Sequence, residues 1–319
     1  MHPTSIRRDE RKFELERPLI IADRVASASA VVALETNVLA HGLPAPANLE
    51  SADAQAAAVR KAGAEPAIVG VLGGRVVIGM DDHEVRQLAT GERGDDRPPP
   101  YKVALRDLPV VMAGRLDGAT TVSATAWLAE SAGIGVMATG GIGGVHPGGT
   151  DVSADLPQLT RSRMVIVCSG AKHVVDIGAT SEWLETHGIL VVGYRTDRLP
   201  GFLAPGWLPL EYSTEDAGHL AEIVRAQRAL GVPGAILVVQ DPPADAAMEP
   251  EELSELSAAG AAAATKAGVR GKDRTPFELD WLARRTGGRS LAANLALLEA
   301  NAGLAGEIAA ALAEAEQEG

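Results

Sequence analysis

The sequence contains a single cysteine, Cys168, among its 319 residues. One thiol cannot form an intrachain disulfide, so the fold has no disulfide framework. Long apolar stretches are also lacking, because Gly, Pro or a charged residue interrupts every apolar run before the length of about 18 residues that a membrane span needs. The amino terminus shows no basic start followed by an apolar signal core. We therefore expect a soluble, cytoplasmic protein.

Basic residues are fewer than acidic ones. Lys and Arg total 29 against 42 for Asp and Glu, which gives a formal net charge of -13. Such a charge opposes non-specific attachment to nucleic acid or to an anionic membrane surface. Any phosphate that the protein binds must therefore be a small one, held by a local site. The apolar content of 46% is ample for a substantial core.

Several common catalytic patterns are absent. The glycine-rich segments do not satisfy the G-x-x-x-x-G-K-S/T pattern of a P-loop, nor the G-x-G-x-x-G that opens a dinucleotide-binding helix. No cluster of residues suggests zinc, and no G-x-S-x-G nucleophile elbow occurs. The sequence therefore does not predict a P-loop, a nicotinamide site, a zinc site or a serine nucleophile of that type.

Strand and helix patterns alternate along the chain. Apolar runs predict strands, including a hairpin that turns at Gly73-Gly74, and apolar residues at helical spacing predict the helices between them. Repeated β-α-β units favour an α/β fold with three layers, α/β/α, and a largely parallel central sheet. The predicted strands cover 31–35, 134–138, 164–168, 189–193 and 235–239, and the predicted helices 48–61, 118–132, 174–187, 216–230, 254–267 and 291–316.

The charged residues 1–17 are expected to form a polar arm, followed by a single domain over 18–319. The charged, proline-rich loop 91–100 could move over a site or be plain surface. Narrow apolar stripes in the last two predicted helices are typical of packing on the body or on another subunit, so we expect a homo-oligomer.

The run ATGGIGGVH, residues 138–146, places four glycines directly after a short apolar strand. Glycine has no Cβ atom, so the backbone amides of such a loop can approach the oxygens of a ligand. Ordinary close packing uses the same composition. We expect this loop to form a ligand cradle because Lys172 follows it within about one helix and one strand.

Lys172, in CSGAK, comes shortly after a predicted buried strand and is placed in the first turn of the next helix. The positive end of the helix dipole and desolvation would both favour its neutral amine, which can attack a carbonyl carbon. A surface lysine at a helix start is the alternative interpretation.

Glu35 ends the predicted strand VVALE, at the edge where parallel sheets place their ligand crevices. It is therefore a candidate general acid or base. A carboxylate that accepts hydrogen bonds from backbone amides at a strand end is equally compatible with the sequence.

Asp151 and Asp155 lie four residues apart. If Asp155 is in the first turn of a helix, Asp151 lies in the preceding loop, and one of the two could bind a hard cation while the other contacts a ligand. Ser153 or Asp155 could instead be a plain N-cap. His146 could contact the same ligand.

A set of motifs runs in order from Ala33 to the last predicted helix: ALETNVLAHGLPAPANLE, KVALRDLP, GATTVSAT, ATGGIGGVH, VSADL, CSGAK, DIGATSEWLETHGILVVGY, GKDRTPF and TGGRSLAANLALLEANA. Together they resemble the pseudouridine-5'-phosphate glycosidase family over nearly the whole chain. The resemblance implies an α/β/α enzyme, commonly a homotrimer, that uses a divalent metal, usually Mn²⁺. Such an enzyme reversibly joins ribose 5-phosphate to uracil through a carbon-carbon bond.

The resemblance also implies roles for individual residues. Lys172 would be the catalytic lysine, and Glu35 would be the acid/base. Lys102 and Thr139 would hold the sugar phosphate region, and Asp151 would hold the metal. The other substrate-binding residues implied are Val122, His146, Ser153, Ala154, Asp155 and Asn294.

A carbon-carbon glycosidic bond explains why these residue types are needed. An ordinary glycosidase protonates a leaving oxygen, whereas here the leaving atom is carbon, which is a poor leaving group. Ring opening and an imine (Schiff base) between Lys172 and C1' would provide an electron sink, while Glu35 moves the proton on the base carbon.

Three segments depart from the family pattern. Its K-V-S-R-R-D-L-P is here K-V-A-L-R-D-L-P with Arg106 as the remaining arginine, the segment 147–150 is shorter and lacks a cation, and N-P-I-P is replaced at 240–243 by Q-D-P-P. Because the catalytic residues are kept while the loops differ, we favour a C-ribosylating synthase that acts on a non-uracil aromatic acceptor in secondary metabolism, such as antibiotic biosynthesis. The alternatives are a housekeeping pseudouridine-5'-phosphate glycosidase, a Schiff-base aldolase and a non-catalytic sugar-phosphate-binding protein.

Overall fold

The structure is a computed structural model that describes residues 19–91, 98–269, 271 and 274–317. The predicted polar arm and most of the loop 91–100 lie outside the described residues.

Two kinds of element account for most of the described chain. The strands are β1 (Leu19–Ile21), β2 (Val31–Glu35), β3 (Glu65–Leu72), β4 (Arg75–Ile78), β5 (Tyr101–Val103), β6 (Gly118–Thr120), β7 (Val136–Ala138), β8 (Val165–Cys168), β9 (Leu190–Tyr194), β10 (Arg198–Leu199), β11 (Leu208–Pro209), β12 (Ser213–Thr214) and β13 (Ile236–Val239). The helices are α1 (Asp23–Ala26), α2 (Ala47–Lys61), α3 (Asp82–Thr90), α4 (Leu108–Ala113), α5 (Val122–Ser131), α6 (Asp155–Leu159), α7 (Ile177–Thr186), α8 (Ala217–Leu230), α9 (Pro250–Lys266), α10 (Arg274–Arg285) and α11 (Arg289–Gln317).

The main sheet runs in the order β1-β4-β3-β2-β7-β8-β13-β9-β12, with β6 paired to β3 and β5 paired to β6. The pairs from β3 through β2, β7, β8, β13, β9 and β12 are all parallel. Antiparallel pairing occurs at the predicted hairpin between β3 and β4 and between β3 and β6. A largely parallel sheet is therefore confirmed.

Helices cover both faces of this sheet. Strand residues alternate between two cores: in β8, Ile166 and Cys168 belong to one core, and Val165 and Val167 belong to the other. Helices α4 to α7 pack on the first face, and α2, α3, α8 and α11 pack on the second. The predicted three-layer α/β/α arrangement is confirmed.

A third and smaller core lies apart from both faces. It joins α9, α10 and the first turns of α11 to the loop around Phe202, through buried residues that include Leu253, Leu282, Leu297 and Leu298. Residues of this cluster, of α10 and of α11 also line the cavity described below.

Three predicted helices differ clearly at their starts, since α7 begins at Ile177 rather than 174, α9 at Pro250 rather than 254, and α5 later than 118. The segment predicted as helix 118–132 begins with strand β6, and α5 starts only at Val122. The hydroxyl of the β-branched Thr120 donates to the Val69 carbonyl at 2.7 Å, so Thr120 joins the sheet rather than a helix turn.

Glu299 and Glu307 interrupt α11, so it contains no run of about 18 uncharged apolar residues, as expected. A looser criterion, mean hydropathy over a helix long enough to cross a membrane, gives a different result. Helix α11 meets that criterion by length and composition, because alanine and leucine dominate its sequence and its glycines do not interrupt it. Within the structure, 56% of its apolar window is buried, and its residues belong to the second and third cores. Core helices of this kind pass the same test.

Helix α11 packs closely against α2 at Gly306. A Cβ atom at Gly306 would lie 2.7 Å from the Cβ atom of Ala62 and 3.1 Å from the Val59 carbonyl oxygen, whereas one at Gly303 would lie 4.0 Å from Ala58. We expect Gly306→Ala to destabilise the protein by about 1–3 kcal/mol through overpacking. Gly303→Ala, its matched control, should stabilise by about 0.5–1 kcal/mol because alanine favours the helix. Denaturant unfolding of both variants measures the difference, and equal effects would contradict this packing argument.

Candidate active site

The carboxyl ends of β2, β7, β8 and β13 lie side by side in the parallel sheet. Glu35 is the last residue of β2, and Thr139, Ser169 and Gln240 directly follow the other three strands. Strand register brings these four residues to one edge. Parallel α/β sheets commonly place their ligand sites at this edge.

A cavity of about 420 Å³ opens over this edge. Nearly all the predicted site residues contribute to it, including Asn294 of α11, together with residues of α10 such as Leu279 that were not predicted. Polar, charged and apolar side chains in its wall include Glu35, Asn37, His41, Lys102, Arg106, Thr121, Thr139, His146, Asp151, Ser153, Ala154, Asp155, Lys172, Phe202, Leu279 and Asn294.

Val122 is the predicted substrate-binding residue that this cavity does not include. Its side chain is 1% exposed and belongs to the first core, because Val122 is the first residue of α5 and faces the sheet layer. The preceding residue, Thr121, lines the cavity instead. A side-chain contact from Val122 to a ligand is therefore not supported.

The Glu35 carboxyl is buried and only partly satisfied. Its side chain is 5% exposed, its Oε1 accepts a hydrogen bond from the Thr139 hydroxyl, and its Oε2 has no partner. Burial raises the pKa of Glu35 above its ordinary value, while the positive charge of Lys172 and the Thr139 hydrogen bond act in the opposite direction. A carboxyl that keeps its proton to higher pH can act as a general acid.

Lys172 lines the same cavity, but not in the first turn of a helix as predicted. Helix α7 begins only at Ile177, because the Asp176 side chain caps it by accepting from the Ala179 amide at 2.9 Å. The Lys172 amide donates to the Ile142 carbonyl at 2.9 Å, which fastens this loop to the glycine run. The helix-dipole argument therefore does not apply to Lys172, which is half-buried and lines the same cavity as Glu35.

The glycine run 138–146 also differs from the expected ligand cradle. A Cβ atom at Gly141 would lie 2.7 Å from the Phe202 ring, one at Gly143 would lie 2.3 Å from Ser153 Oγ, and one at Gly144 would lie 2.3 Å from Thr180 Oγ1. These glycines therefore admit neighbouring protein atoms. Several amides of the run also donate to protein acceptors, those of Ile142, Gly143, Val145 and His146.

Asp155 holds two segments of the site together. It lies in the first turn of α6, as predicted, but the N-cap of that helix is Ala154, with no side-chain cap. Its two carboxylate oxygens accept from the Ser123 amide at 3.0 Å and the Gly143 amide at 2.9 Å. Asp155 thus satisfies an amide in the first turn of α5 and fixes the glycine run, while a direct contact with substrate stays a prediction.

Asp151 lies in the loop before α6 and is exposed. Its carbonyl accepts from the His146 amide at 2.8 Å, and the buried Nδ1 of His146 has no hydrogen-bond partner. Across the part of the chain that the structure describes, no three His, Cys, Asp or Glu side chains form a metal-binding group. The residues fit a hard cation held by one carboxylate and completed by water and ligand oxygens.

Two buried residues, Phe202 and His173, lie behind the reactive pair Glu35 and Lys172 and were missed from the sequence. Phe202 has a φ of 68°, which is strained for a bulky residue, and stacks on His173 with ring centroids 5.8 Å apart. Burial lowers the pKa of His173 to about 4, so its imidazole is neutral at physiological pH. Neither residue had a sequence signal, because backbone strain and stacking are not visible in composition or spacing.

Known proteins resemble the chain throughout its described length. A family model described as indigoidine synthase A like protein matches residues 20–311. A pseudouridine-5'-phosphate glycosidase from Myxococcus xanthus strain DK1622 is 45% identical over 289 residues, which are 89% of this chain and 94% of that relative.

Two solved structures share the fold. One is an indigoidine synthase A-like protein from Thermotoga maritima, 36% identical, with a TM-score of 0.86 and coverage of 95% of this chain and 100% of that one. The other is the prealnumycin C-glycosynthase AlnA in complex with ribulose 5-phosphate, 34% identical, with a TM-score of 0.84 and coverage of 94% and 99%.

Removing the hydroxyl of Thr139 is expected to raise the pKa of Glu35 further. The hydrogen bond from Thr139 favours the charged carboxylate, so Thr139→Val should raise the pKa of Glu35 above that of the parent. Titration of the Glu35 carboxyl carbon by NMR, with Glu35→Gln identifying the signal, measures this. Thr139→Ser keeps the hydroxyl and should stay close to the parent, and an unchanged pKa in the valine variant would refute the coupling.

The buried carboxyl should also lower stability at neutral pH. The pKa of Glu35 is raised in the folded state above the ordinary value of 4.5, so the folded state binds more protons and stability falls as pH rises through that window. Glu35→Gln should therefore have a higher Tm than the parent at pH 7–8. The gain is about 1.4 kcal/mol for each pH unit by which burial raises the pKa.

The same comparison at pH 4 is the control for this effect. At this pH, below the ordinary value of 4.5, the Glu35 carboxyl of the parent is mostly protonated in the folded and in the unfolded state, so parent and variant should unfold at similar temperatures. A gain in Tm that is equal at both pH values would mean that repacking, rather than charge burial, is its source.

Proposed function

The chain belongs to the indigoidine synthase A-like family and matches pseudouridine-5'-phosphate glycosidases along most of its length, and we propose that it converts pseudouridine 5'-phosphate and water to uracil and ribose 5-phosphate. It is an enzyme of the C-glycosidase and C-glycosynthase type, as the resemblance of its motifs implied. The observation that carries the proposal is the buried Glu35 carboxyl, with one unpartnered oxygen, in the same cavity as Lys172.

The comparisons favour the housekeeping glycosidase over the specialised synthase that the altered loops suggested. The named relative at 45% identity is a glycosidase, whereas the C-glycosynthase neighbour is 34% identical. A non-catalytic sugar-phosphate-binding protein is not supported, because both relatives are enzymes by name.

Two amide side chains in the cavity also suit uracil. Oδ1 of Asn37 and Oδ1 of Asn294 are buried without hydrogen-bond partners in the structure. A buried polar atom left unpaired costs about 1–3 kcal/mol, so a ligand that supplies N–H donors is favoured over an apolar ring. Uracil carries two such N–H groups.

Lys172 would supply the nucleophile. In the proposed sequence the C1'–O4' bond of the sugar breaks, O4' takes up a proton, and the Lys172 amine forms a bond to C1'. The nitrogen lone pair then forms the C=N bond of an imine as the bond from C1' to the base carbon breaks. Water finally hydrolyses the imine, which releases ribose 5-phosphate and restores the amine.

Glu35 would supply the proton that the base carbon needs in order to leave. Its raised pKa keeps a proton available, and its unpartnered Oε2 is free of competing protein contacts. In the reverse direction the carboxylate would take that proton back from the ring carbon. One carboxyl thus serves both directions.

The phosphate end would bind near Lys102, which lines the cavity, with Thr139 adjacent to the sugar. Asp151 would hold the divalent cation, which we propose to be Mn²⁺. When bound, the cation would neutralise phosphate charge and orient the sugar. These contacts matter for this acidic protein because its net charge of -13 opposes binding of a phosphate.

A second candidate function is C-ribosylation of an aromatic acceptor larger than uracil. An apolar recess of about 240 Å³ adjoins the cavity and shares His41, Leu279 and Asn294 with it. Leu43, Leu203 and Leu291 line its remaining wall, and such a surface suits an apolar ring. This recess is the structural feature that favours a synthase as the second candidate.

Incubation of the purified protein with pseudouridine 5'-phosphate and Mn²⁺ tests the proposal. We expect release of uracil, followed by chromatography, and its loss by roughly a factor of 10³ or more in Lys172→Ala and in Glu35→Gln. Borohydride added with ribose 5-phosphate should leave a reduced adduct on Lys172, detected by mass spectrometry.

Thr139→Ser serves as the control, because it keeps Glu35, Lys172 and a hydroxyl that can donate to Glu35. Rapid formation of pseudouridine 5'-phosphate from uracil and ribose 5-phosphate would eliminate the synthase alternative. Turnover of an aromatic acceptor without any turnover of uracil would instead overturn the glycosidase proposal. Absence of an adduct at Lys172 would refute the imine step in either case.

A further inference from the structure

Asn301 is a fully buried polar residue in the middle of the apolar helix α11. Its side-chain Nδ2 donates to the Thr139 carbonyl at 2.9 Å and lies 3.3 Å from Ser169 Oγ. Its Oδ1 accepts from Gln240 Nε2 at 2.9 Å. The packing of an apolar helix does not require an amide at this position. The hydrogen bonds of the Asn301 side chain therefore indicate a role other than helix packing.

These three partners are the first residues after three neighbouring strands. Thr139 follows β7, Ser169 follows β8 and Gln240 follows β13. Backbone hydrogen bonds continue past this edge between the segments after β7 and β8, where the Ser169 amide donates to the Gly140 carbonyl and the Ile142 amide to the Gly170 carbonyl. Asn301 adds side-chain hydrogen bonds that link these two strand ends and that of β13 to one helix on the second face of the sheet.

Two of these strand ends lead directly to the reactive pair. The Thr139 hydroxyl donates to Glu35 Oε1. The Ser169 amide donates to the Gly140 carbonyl at 2.9 Å, and the segment that begins at Ser169 carries Lys172. Asn301 itself does not line the cavity. Any effect of Asn301 on the reaction is therefore indirect, through Thr139, through Ser169 or through the position of α11.

The same face of α11 also contributes to the cavity wall. Asn294 lies two helical turns before Asn301 and lines the cavity, and between them Leu297 and Leu298 approach Gly140. The hydrogen bonds of Asn301 therefore fix the register of α11 along the strand ends. A shift of the helix would move Asn294 and the glycine run together.

We propose that Asn301 is a positioning residue for the reaction: it holds Thr139 against Glu35 and keeps the Ser169–Lys172 segment in register with the glycine run. Gln240 orients the Asn301 amide by donating to its oxygen, which directs the NH₂ group to the Thr139 carbonyl. The proposal rests on the proposed function for its kinetic consequence only, because the contact between Thr139 and Glu35 exists without substrate.

A merely structural role for Asn301 would give a different result. Loss of a buried amide destabilises the helix and lowers Tm whatever the amide touches. Only a positioning role also alters the titration of Glu35, whose other charged neighbours, Lys172, Lys102 and Asp155, remain unchanged. The pKa of Glu35, measured in the substrate-free protein, is therefore the decisive quantity.

The experiment is a double-mutant cycle between Asn301 and Thr139, read as the pKa of Glu35 by carboxyl-carbon NMR. Asn301→Ala should raise this pKa in the parent background, because Thr139 is no longer held against the carboxyl. In a Thr139→Val background it should cause no further rise. Asn301→Ser, which removes the amide without adding a charge, provides the same test if the alanine variant fails to fold.

Leu304→Ala is the matched control, since Leu304 is buried on the same helix in the second core and contacts neither loop segment by hydrogen bond. It should lower Tm without moving the pKa of Glu35. Additive effects of the Asn301 and Thr139 changes, or an equal pKa shift in Leu304→Ala, would overturn the proposal.

Kinetics with pseudouridine 5'-phosphate give a second readout. Misplacement of the reactive pair should lower kcat by about 10- to 100-fold with a much smaller change in KM. If the parent enzyme does not cleave this compound, the proposed function fails, but the pKa cycle still decides the role of Asn301. An unchanged kcat in Asn301→Ala, in an enzyme that does cleave it, would contradict positioning.

Discussion

The arrangement of the rest of the site depends on the burial of the Glu35 carboxyl at the end of β2. A carboxylate removed from water loses solvation, and here one hydroxyl and the distant charges of two lysines offset only part of that loss. Asp155, in the same cavity, has both oxygens satisfied by backbone amides. The two acids therefore differ in availability: Asp155 organises the backbone, and Glu35 has one oxygen without a hydrogen-bond partner.

Such a carboxyl needs rigid surroundings, and the fold supplies them from distant parts of the chain. The sheet edge brings Glu35 and Thr139 together, although more than a hundred positions separate them. Helix α11 covers this edge from the second face, and the third core, with α9 and α10, closes the cavity from above. The carboxyl-terminal third of the chain is thus a functional part of the site and not a peripheral extension.

Local chemistry explains what could be predicted from sequence. Strand β2 matched its predicted bounds because VVALE is a short apolar run, and helix α8 matched because Asp216 caps its start and Gly231 ends it with a φ of 69°. These signals depend on neighbouring residues only. The placement of Glu35 at a parallel strand end followed from the same reasoning.

Contacts between distant segments explain what could not be predicted. The glycines of the run 138–146 were expected to face a ligand, but they accommodate Phe202, Ser153 and Thr180, none of which is adjacent in sequence. Lys172 was assigned to a helix that starts later, because Asp176 is the cap. The residues that the resemblance implied line one cavity, Val122 excepted, even where the local physical argument for them was wrong.

The three segments that depart from the family pattern differ in their position relative to the cavity. A change in a motif bears on the substrate only if the altered residue reaches the cavity. Ala104 and Arg106 do line it, whereas the segment 147–150 does not, and Gln240 and Asp241 serve the protein itself. Gln240 donates to Asn301, and Asp241 accepts from the Gly206 amide at 3.0 Å. Of the three departures, only the one at 104–106 therefore reaches the cavity, and the unpartnered side-chain oxygens of Asn37 and Asn294 remain suited to a small, hydrogen-bonding base.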